Sequence, residues 1–540
     1  MRKIAFFLMM ISASITVWGK PNERSPKIVV GITIEHLRAD YISRFWDTFQ
    51  NDGIKRIFTD GAVFENARAD IHNIKTETLT PSVYTGTYPS VHGVIGEKWY
   101  KPINGQEVQA VADDYYLTMG SDSKEGNVSA RQLNVFTIGD VLKQQSGFKS
   151  KVYSVALNPP AAVFSAGHSA DGAFWFDKTN GNMITSSYYA DQFPEWIMDF
   201  NLKKMATSYL DREWDLMLPQ GDYNKGFRDD YLLEEGFWEK WNTFPYDLKK
   251  IGEDQENPLE IIKASPFGNA LIRDFSVQLI EKESLGVDEW PDMLNLTFSM
   301  LDYANKWYNP SSVEMHEMML RIDREIASLL RYMDNKFGKD NYLVVLTSAS
   351  TTGYPVRVLK EEFNFNADNF NPQSAMALLR SYLNILYGVG EWIESYNEEM
   401  LYLNHRLIDS KQKPLNEMRY KAASFLNQFS GIKSALPAHL IETGNLNNPR
   451  FKKIENSYSV QRSGDVMILL KEGWYPTFRY HKVDYSTENR IPLAFYGMYV
   501  KNGHHNTQTE VVDIVPTICK ILGIYPPDDA MGKVLNEVNW

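Results

Sequence analysis

The stretch Lys27-Ile28-Val29-Val30-Gly31-Ile32-Thr33-Ile34-Glu35 decides the fold, because it is a nearly unbroken apolar run that ends in a carboxylate. A helical pattern follows, and a buried parallel strand feeding a helix is the simplest explanation of that order. Similar runs recur at residues 152–156, 294–301, 342–346 and 491–496. Strands that alternate with helices predict an α/β fold with a doubly wound, mostly parallel central sheet and helices on both faces.

Two long stretches interrupt this alternation, at about residues 171–290 and 354–455. They are rich in Trp, Tyr, Asn and charged residues and lack repeated strand–helix units. We therefore expect large cap insertions at one edge of the sheet. Before residue 342, an apolar face from Met318 to Phe337 predicts a long helix that ends at Gly338.

The N-terminus has the pattern of a secretory signal peptide over residues 1–19. Arg2 and Lys3 precede an apolar run at residues 4–11, and small residues lead up to Gly19. The run is shorter than a membrane span needs, and no other stretch approaches about 18 uninterrupted apolar residues. The pattern predicts an exported protein, periplasmic or extracellular, without a transmembrane segment and with residues 20–540 as its folded domain.

Composition limits the partners and the metals. The 540 residues include 56 Lys and Arg against 68 Asp and Glu, a formal charge of −12, which argues against nucleic acid as a partner. The single cysteine, Cys519, excludes a disulfide framework and a Cys-rich zinc site. A tightly bound metal would have to use the ten histidines and the carboxylates.

Ligands of open α/β sheets bind beyond the carboxyl ends of the strands. The side chains at those positions here are Glu35, Asp302 and the segment 347–353. A further candidate is Thr76, at the start of a short predicted helix that closes at Thr85-Gly86. A hydroxyl at a helix N-terminus can cap the helix and can also meet an anion there.

The segment from Thr76 through Thr85-Gly86-Thr87-Tyr88-Pro89-Ser90-Val91-His92-Gly93 resembles the nucleophile helix of the alkaline phosphatase superfamily. The resemblance is to its type I phosphodiesterase/nucleotide pyrophosphatase-like members, and it is closest to the PafA-type secreted alkaline phosphatases. It extends over nearly the whole mature chain, through Gly172-Ala173-Phe174-Trp175-Phe176-Asp177, Pro266-Phe267-Gly268-Asn269 and Asp513-Ile514-Val515-Pro516-Thr517.

The resemblance implies two zinc ions and a Thr or Ser nucleophile, and Thr76 stands at the nucleophile position. At the metal positions, Glu35 replaces the first-strand Asp of the family and Asp302 is kept. The histidine that should follow Asp302 is Lys306, and a protonated lysine cannot ligate zinc. The family's Asp-His pair after the next strand is Ala349-Ser350.

Two other family features depart from the pattern or stay open. The last metal histidine corresponds to His481 or, in the neighbouring register, to Tyr480. The phosphate clamp is replaced, because Glu97 stands for a neutral amide and Asn158 and Pro160 stand for a Lys and an Arg. Two cations that would hold phosphoryl oxygens are thus lost.

Lys306 suggests what takes the place of a metal. Its ammonium could neutralise Asp302 and Glu35, since clustered carboxylates without a counter-charge are costly. This hypothesis predicts a contact between Lys306 and Asp302 below about 4 Å.

Three functions follow from these substitutions. The sequence favours a pseudoenzyme that needs no cofactor and binds an unidentified ligand or protein partner, with Thr76 a vestigial nucleophile kept as a first-turn or capping residue. The alternative is an active phosphomonoesterase or phosphodiesterase that uses Thr76 with an atypical zinc site of Glu35, Asp302 and His481. The third is a cell-envelope component in which the fold is only a scaffold.

Overall fold

The apolar run that opens the chain forms a strand, Ile28–Glu35, in which every residue is buried. The structure is a computed structural model, and it describes residues 25–102, 104–234, 236, 240–253, 255–300, 308–444, 446, 451–478, 481–482 and 489–538. The predicted signal peptide, Asp302 and Lys306 lie outside these residues.

The strands, numbered in chain order, are short except at the centre of the sheet. They are β1 Ile28–Glu35, β2 Ala62–Phe64, β3 Ala67–Arg68, β4 Lys98–Lys101, β5 Gln106–Gln109, β6 Thr118–Met119, β7 Val152–Ala156, β8 Gly172–Phe176, β9 Met183–Ser186, β10 Glu213–Trp214, β11 Tyr246–Asp247, β12 Asp292–Ser299, β13 Tyr342–Ser348, β14 Asp368–Phe370, β15 Ile393–Asn397, β16 Met400–Leu403, β17 Ile432–Pro437, β18 Val466–Leu470, β19 Trp474–Phe478, β20 His481–Lys482, β21 Leu493–Gly497, β22 Gly503–His505 and β23 Thr509–Glu510.

The α-helices are numbered in the same way. They are α1 Ala39–Arg44, α2 Ile54–Asp60, α3 Thr76–Thr85, α4 Pro89–His92, α5 Ile138–Gln145, α6 Pro159–Ala166, α7 Glu195–Leu202, α8 Met205–Leu210, α9 Leu248–Glu253, α10 Glu260–Lys263, α11 Pro266–Lys282, α12 Val313–Phe337, α13 Val356–Glu361, α14 Pro372–Tyr387, α15 His405–Ser410, α16 Leu415–Leu426, α17 Ala438–Glu442, α18 Lys452–Ser457 and α19 Ile514–Leu522. Short 3₁₀ turns cover Trp46–Thr48, Gln220–Asp222, Val511–Asp513 and Asn536–Val538.

The central sheet has the strand order β22-β2-β21-β13-β1-β12-β7-β8-β9-β6. The five adjacent strands β13, β1, β12, β7 and β8 run parallel to one another, which confirms the predicted α/β class. The strand predicted at residues 491–496 is present as β21, but it runs antiparallel to β13 and to β2. The sheet is therefore mixed at its edges, a direction that an apolar run by itself does not encode.

Alternate residues of β1 enter two different cores. Ile28, Val30, Ile32 and Ile34 pack in the core that α11 and α12 cover. Val29 belongs to the core on the opposite face, with residues of α3, α6 and α19. A strand with an apolar core on each face has a continuous apolar sequence. This is why the sequence predicts β1 directly.

The long helix α12 forms where its apolar face predicted it. Ser312 caps its first turn by accepting a hydrogen bond from the Met315 amide at 3.2 Å, and the helix ends at Gly338, whose φ is +87°. It packs against α11 beneath the central strands.

The region 354–455 builds a separate core, whereas part of the region 171–290 belongs to the central sheet. Within residues 354–455, α14, α16 and strands β15, β16 and β17 enclose a third apolar core together with β18. Strands β8 and β9 fall inside the range 171–290 and are members of the central sheet. Among the described residues, no helix is both long and apolar enough to cross a membrane.

Candidate functional site

Three parallel strands, β1, β12 and β13, end side by side, and their carboxyl ends form one edge of the sheet. Glu35, the last residue of β1, lies opposite Ser299 of β12, and Ile34 lies opposite Ser348 of β13. The polar residues that follow β1 and β13 therefore meet at this edge, as the sheet rule predicts.

Thr76 is the first residue of α3, and its hydroxyl points to the end of β1. The Thr76 hydroxyl donates a hydrogen bond to Glu35 Oε1 at 2.9 Å. Lys75 occupies the cap position, with the extended backbone angles φ −116° and ψ 167°. Thr76 thus lies in the first helical turn without being the cap residue, and its side chain contacts a carboxylate.

Glu35 is 4% exposed and accepts hydrogen bonds on both of its oxygens. The second comes from Asn158 Nδ2, 3.4 Å from Glu35 Oε2. Asn158 precedes α6, whose first two residues are Pro159 and Pro160. Proline has no amide hydrogen, so this helix N-terminus lacks two of the donors that an anion would use there.

The segment after β13 is buried and is hydrogen-bonded to the chain that leaves β1. The Ala349 amide donates to the Ile34 carbonyl at 2.9 Å. Ser350 Oγ accepts a hydrogen bond from the His36 amide at 3.0 Å, and the Ser348 hydroxyl donates to the Leu37 carbonyl at 3.1 Å. These hydroxyls fasten two loops together.

Several of the candidate residues lie wholly or partly outside the described part of the chain. Asp302 and Lys306 fall in residues 301–307, outside the described part of the chain, so the predicted contact between them stays a prediction. His481 belongs to β20, which pairs with β19 through Phe478. Its side chain, like all of Tyr480, is outside the description.

In the described part of the chain, the side chains at this edge do not form a ligand set for a pair of zinc ions. Within the described ranges, no three His, Cys, Asp or Glu side chains are grouped so that they could hold a metal. Ala349 has no ligating side chain, and Ser350 already accepts an amide hydrogen. Zinc prefers thiolate, imidazole and carboxylate ligands, so Ala349 and Ser350 are unsuited to hold it.

A second group of carboxylates surrounds the loop before Thr76. Glu398, 8% exposed, contacts Lys75 Nζ at 3.1 and 2.8 Å through its two oxygens. It also accepts hydrogen bonds from Asn73 Nδ2 at 2.8 Å and from the Glu97 amide at 3.2 Å. Sequence reasoning missed Glu398, because it belongs to the cap insertion and lies 323 positions from Lys75.

Acidic neighbours also raise the pKa of Glu77, in the first turn of α3. Burial, followed by the proximity of the Glu97 carboxylate, raises the pKa of Glu77 to about 7. Lys75 acts in the opposite direction, whereas Glu398 adds to the increase. The field at the start of this helix therefore disfavours another negative charge.

The histidines near the site have structural partners. His72 Nε2 lies 3.1 Å from Glu399 Oε2. His92 Nε2 is 3.0 Å from Ser82 Oγ, and burial, with Arg462 as a second cause, lowers the pKa of His92 to about 3. His92 is consequently neutral at physiological pH.

Comparison with known proteins gives consistent matches over nearly the full length. Residues 29–505 match the family model of type I phosphodiesterase / nucleotide pyrophosphatase. The chain is 31% identical to "Calcium-transporting ATPase" of Myroides odoratus, with 97% of this chain and 96% of that protein covered. It is 30% identical to alkaline phosphatase PafA of Elizabethkingia meningoseptica, with 95% and 94% covered. The crystal structure of wild-type PafA superposes with a TM-score of 0.89 and 30% identity, covering 96% of this chain and 99% of that one.

Proposed function

Because this chain belongs to the type I phosphodiesterase / nucleotide pyrophosphatase family, we propose that it keeps the alkaline phosphatase-like fold but does not carry out a two-zinc phosphatase reaction. Its role is then to bind a ligand or a protein partner. The basic and apolar start of the chain supports export to the periplasm or the cell exterior.

One observation carries the proposal: Ala349 and Ser350 stand where the family resemblance requires an Asp and a His. Both are buried; the Ala349 amide donates a hydrogen bond to Ile34 of β1, and Ser350 accepts one from His36 in the loop after β1. A two-metal mechanism needs both ions, one for the nucleophile and one for the leaving oxygen. Residues without ligating capacity at two positions therefore remove the basis of that mechanism.

The phosphate-binding side of the site supports the same proposal. Glu97, Asn158 and Pro160 replace donors and cations of the family pattern. The Asn158 amide donates to Glu35, and Pro160 has no amide hydrogen to donate. A phosphoryl group here would meet carboxylates in place of a cationic clamp.

A specific contact favours a second candidate, a hydrolase that uses Thr76. The Thr76 hydroxyl already donates to Glu35 at 2.9 Å, which is the geometry of a nucleophile beside a general base. Such an enzyme would have to stabilise the transferred phosphoryl group without the family's clamp.

Turnover of aryl phosphate mono- and diesters by the purified protein separates the two candidates. We compare the unmodified protein with Thr76→Ala, and with Thr59→Ala as a matched substitution of an exposed threonine. The proposal expects all three to show the same background rate with and without added zinc. Turnover that is lost in Thr76→Ala and retained in Thr59→Ala would establish the hydrolase and overturn the proposal.

A further inference from the structure

A cleft of about 660 Å³ lies between the β4–β5 hairpin and the cap insertion. One wall is the start of α14, and another consists of the six consecutive residues 393–398, which are β15 and the first residue of the following turn. Lys75 and Glu97 line the end of the cleft next to the loop that carries Thr76. No residue of this cleft had been singled out for binding in the sequence except Glu97.

The wall formed by β15 is a sheet edge. Among the described strands, β15 pairs with β16, and the four-stranded cap sheet has the order β15-β16-β18-β17. Successive side chains of a strand point to opposite faces, so a cleft lying over one face would contact every second residue. Contact with six residues in a row means that the cleft runs along the edge, where backbone N–H and C=O groups point outward.

The turn after β15 holds this edge firmly against the loop before Thr76. Glu398 and Glu399 have φ values of +48° and +58°, a backbone region that non-glycine residues rarely adopt. Their side chains contact Lys75 and His72 respectively. Strained residues persist where the surroundings hold them, and they are concentrated at ligand-binding positions.

The charges that line the cleft leave an acidic excess. Lys98 pairs with Glu107 at 2.8 Å, and Lys75 pairs with Glu398 at 2.8 Å. The exposed Glu97 has no cation within ion-pair distance among the described residues. A second lining carboxylate, Glu394, accepts a hydrogen bond at 2.9 Å from the neutral Tyr100 hydroxyl.

Arg380, the third cationic residue that lines the cleft, pairs with a carboxylate outside the cleft. Arg380 pairs with Glu391 at 3.2 Å, and Glu391 is not a lining residue. Apart from Gln373, the rest of the α14 wall is apolar, with Pro372, Met376 and Ala377 lining the cleft beside Ile393 of β15. The cleft thus combines a strand edge, an apolar surface and unneutralised carboxylates.

We propose that this cleft binds an extended polypeptide segment that carries basic side chains and adds to β15 as a further strand. Backbone hydrogen bonds to a sheet edge supply affinity in such complexes, and alternate side chains supply specificity. Five residues in strand geometry span about 17 Å, the length of β15. The inference deepens the proposed function, since it names the class of partner that a chain without the zinc reaction would bind.

The test measures binding of a labelled hexapeptide of alternating valine and lysine to the full mature chain. Fluorescence anisotropy of the peptide reports the binding. Ala377→Trp fills the cleft from an exposed position of α14. Leu378→Trp is the matched control, because Leu378 is the next residue, 54% exposed and not part of the lining. Two control peptides replace lysine by glutamate or carry N-methyl groups on alternate backbone nitrogens.

We expect saturable binding that Ala377→Trp weakens at least tenfold and Leu378→Trp leaves unchanged. The glutamate and N-methylated peptides should each bind at least tenfold more weakly, because one reverses the charge and the other removes backbone donors. No saturation up to about 1 mM peptide would overturn the inference. Equal binding of the N-methylated peptide, or insensitivity to Ala377→Trp, would also overturn it. Turnover assays on the same preparation judge the proposed function separately, since they do not involve the peptide.

Discussion

Glu35 is buried at the end of β1, and neighbouring side chains donate hydrogen bonds to its carboxylate. Its two oxygens accept hydrogen bonds from Thr76 and Asn158, so the protein itself stabilises the charge that a cation would otherwise neutralise. The half-buried hydroxyl of Thr76 has a hydrogen-bond partner as well, and its retention requires no catalytic role.

Glu77 gives a prediction at the same scale. Burial and the Glu97 carboxylate raise the pKa of Glu77 to about 7 from an ordinary value of 4.5. The folded protein therefore binds this proton more tightly than the unfolded chain, and the resulting stability is lost as the pH rises through 7. Between pH 5 and pH 8 the wild-type protein should lose about 1–3 kcal/mol relative to Glu77→Gln.

Thermal unfolding of both proteins across that pH range measures this difference. Glu289→Gln, in an exposed loop, serves as the control and should follow the wild-type curve. Parallel curves for wild type and Glu77→Gln would show that the Glu77 carboxyl ionises in the folded protein as it does in water.

The identities of the site residues could be obtained from sequence, but their contacts could not. Glu35 and Thr76 were found because strand ends and helix starts leave patterns in the sequence. The Glu398 contacts to Lys75 left no such signal, since they join residues 323 positions apart. No local sequence pattern predicts which carboxylate of an insertion will contact the loop before Thr76.

At the scale of elements, the position of α3 depends on how the helix ends. Gly86 follows Thr85 with φ +70°, and a Cβ at this position would lie 3.1 Å from Val515 Cβ and 3.3 Å from the Val512 carbonyl oxygen. The helix that carries Thr76 is therefore locked against α19 by a residue without a side chain. The sequence predicted this boundary correctly, because glycine is the usual residue after a helix end.

Gly86→Ala should destabilise the protein by about 1–2 kcal/mol, because alanine is strained at positive φ and its methyl group meets atoms of the neighbouring segment. Gly221→Ala is the matched control, since no atom lies within 4 Å of its added Cβ and its φ is not positive. Urea unfolding at constant pH measures both free energies. Equal effects of the two substitutions would contradict the account of this helix end.

Helices and strands with a strong apolar pattern could be predicted from sequence, whereas the direction of a strand and the backbone geometry of a turn could not. The apolar runs of β1 and β13 and the amphipathic face of α12 identify those elements directly. The antiparallel direction of β21 depends on the route of the connecting chain. The turn at Glu398–Glu399 has positive φ at two residues, where the usual signal is Asn or Gly.

At the scale of the whole molecule, buried acidic groups join the 171–290 region to α12. The Tyr246 hydroxyl donates to Glu314 Oε1 at 2.5 Å, and Asn309 Nδ2 donates to Glu234 Oε1 at 2.7 Å. Burial raises the pKa of Glu314 and of Glu234, and Asp229 contributes to both increases. The folded chain therefore favours the protonated form of these carboxyls more than the unfolded chain does.

The consequence is a loss of stability on the alkaline side. As the pH rises, the folded protein releases the proton held at Glu314 and Glu234 to solvent, which leaves a carboxylate charge in a buried environment. We expect the melting temperature of the wild-type protein to fall from pH 6 to pH 9 and that of Glu314→Gln to fall less. A steeper decline in Glu314→Gln than in wild type would contradict this account of the buried pair.

We propose that the Thr76 site does not hold two zinc ions, and zinc stoichiometry tests this proposal most directly. The purified chain is dialysed to equilibrium against micromolar free zinc, and bound metal is counted by elemental analysis with Glu35→Gln in parallel. The account predicts fewer than two zinc ions per chain, because Ala349 and Ser350 provide no ligands. Two zinc ions retained per chain, and reduced in Glu35→Gln, would contradict it.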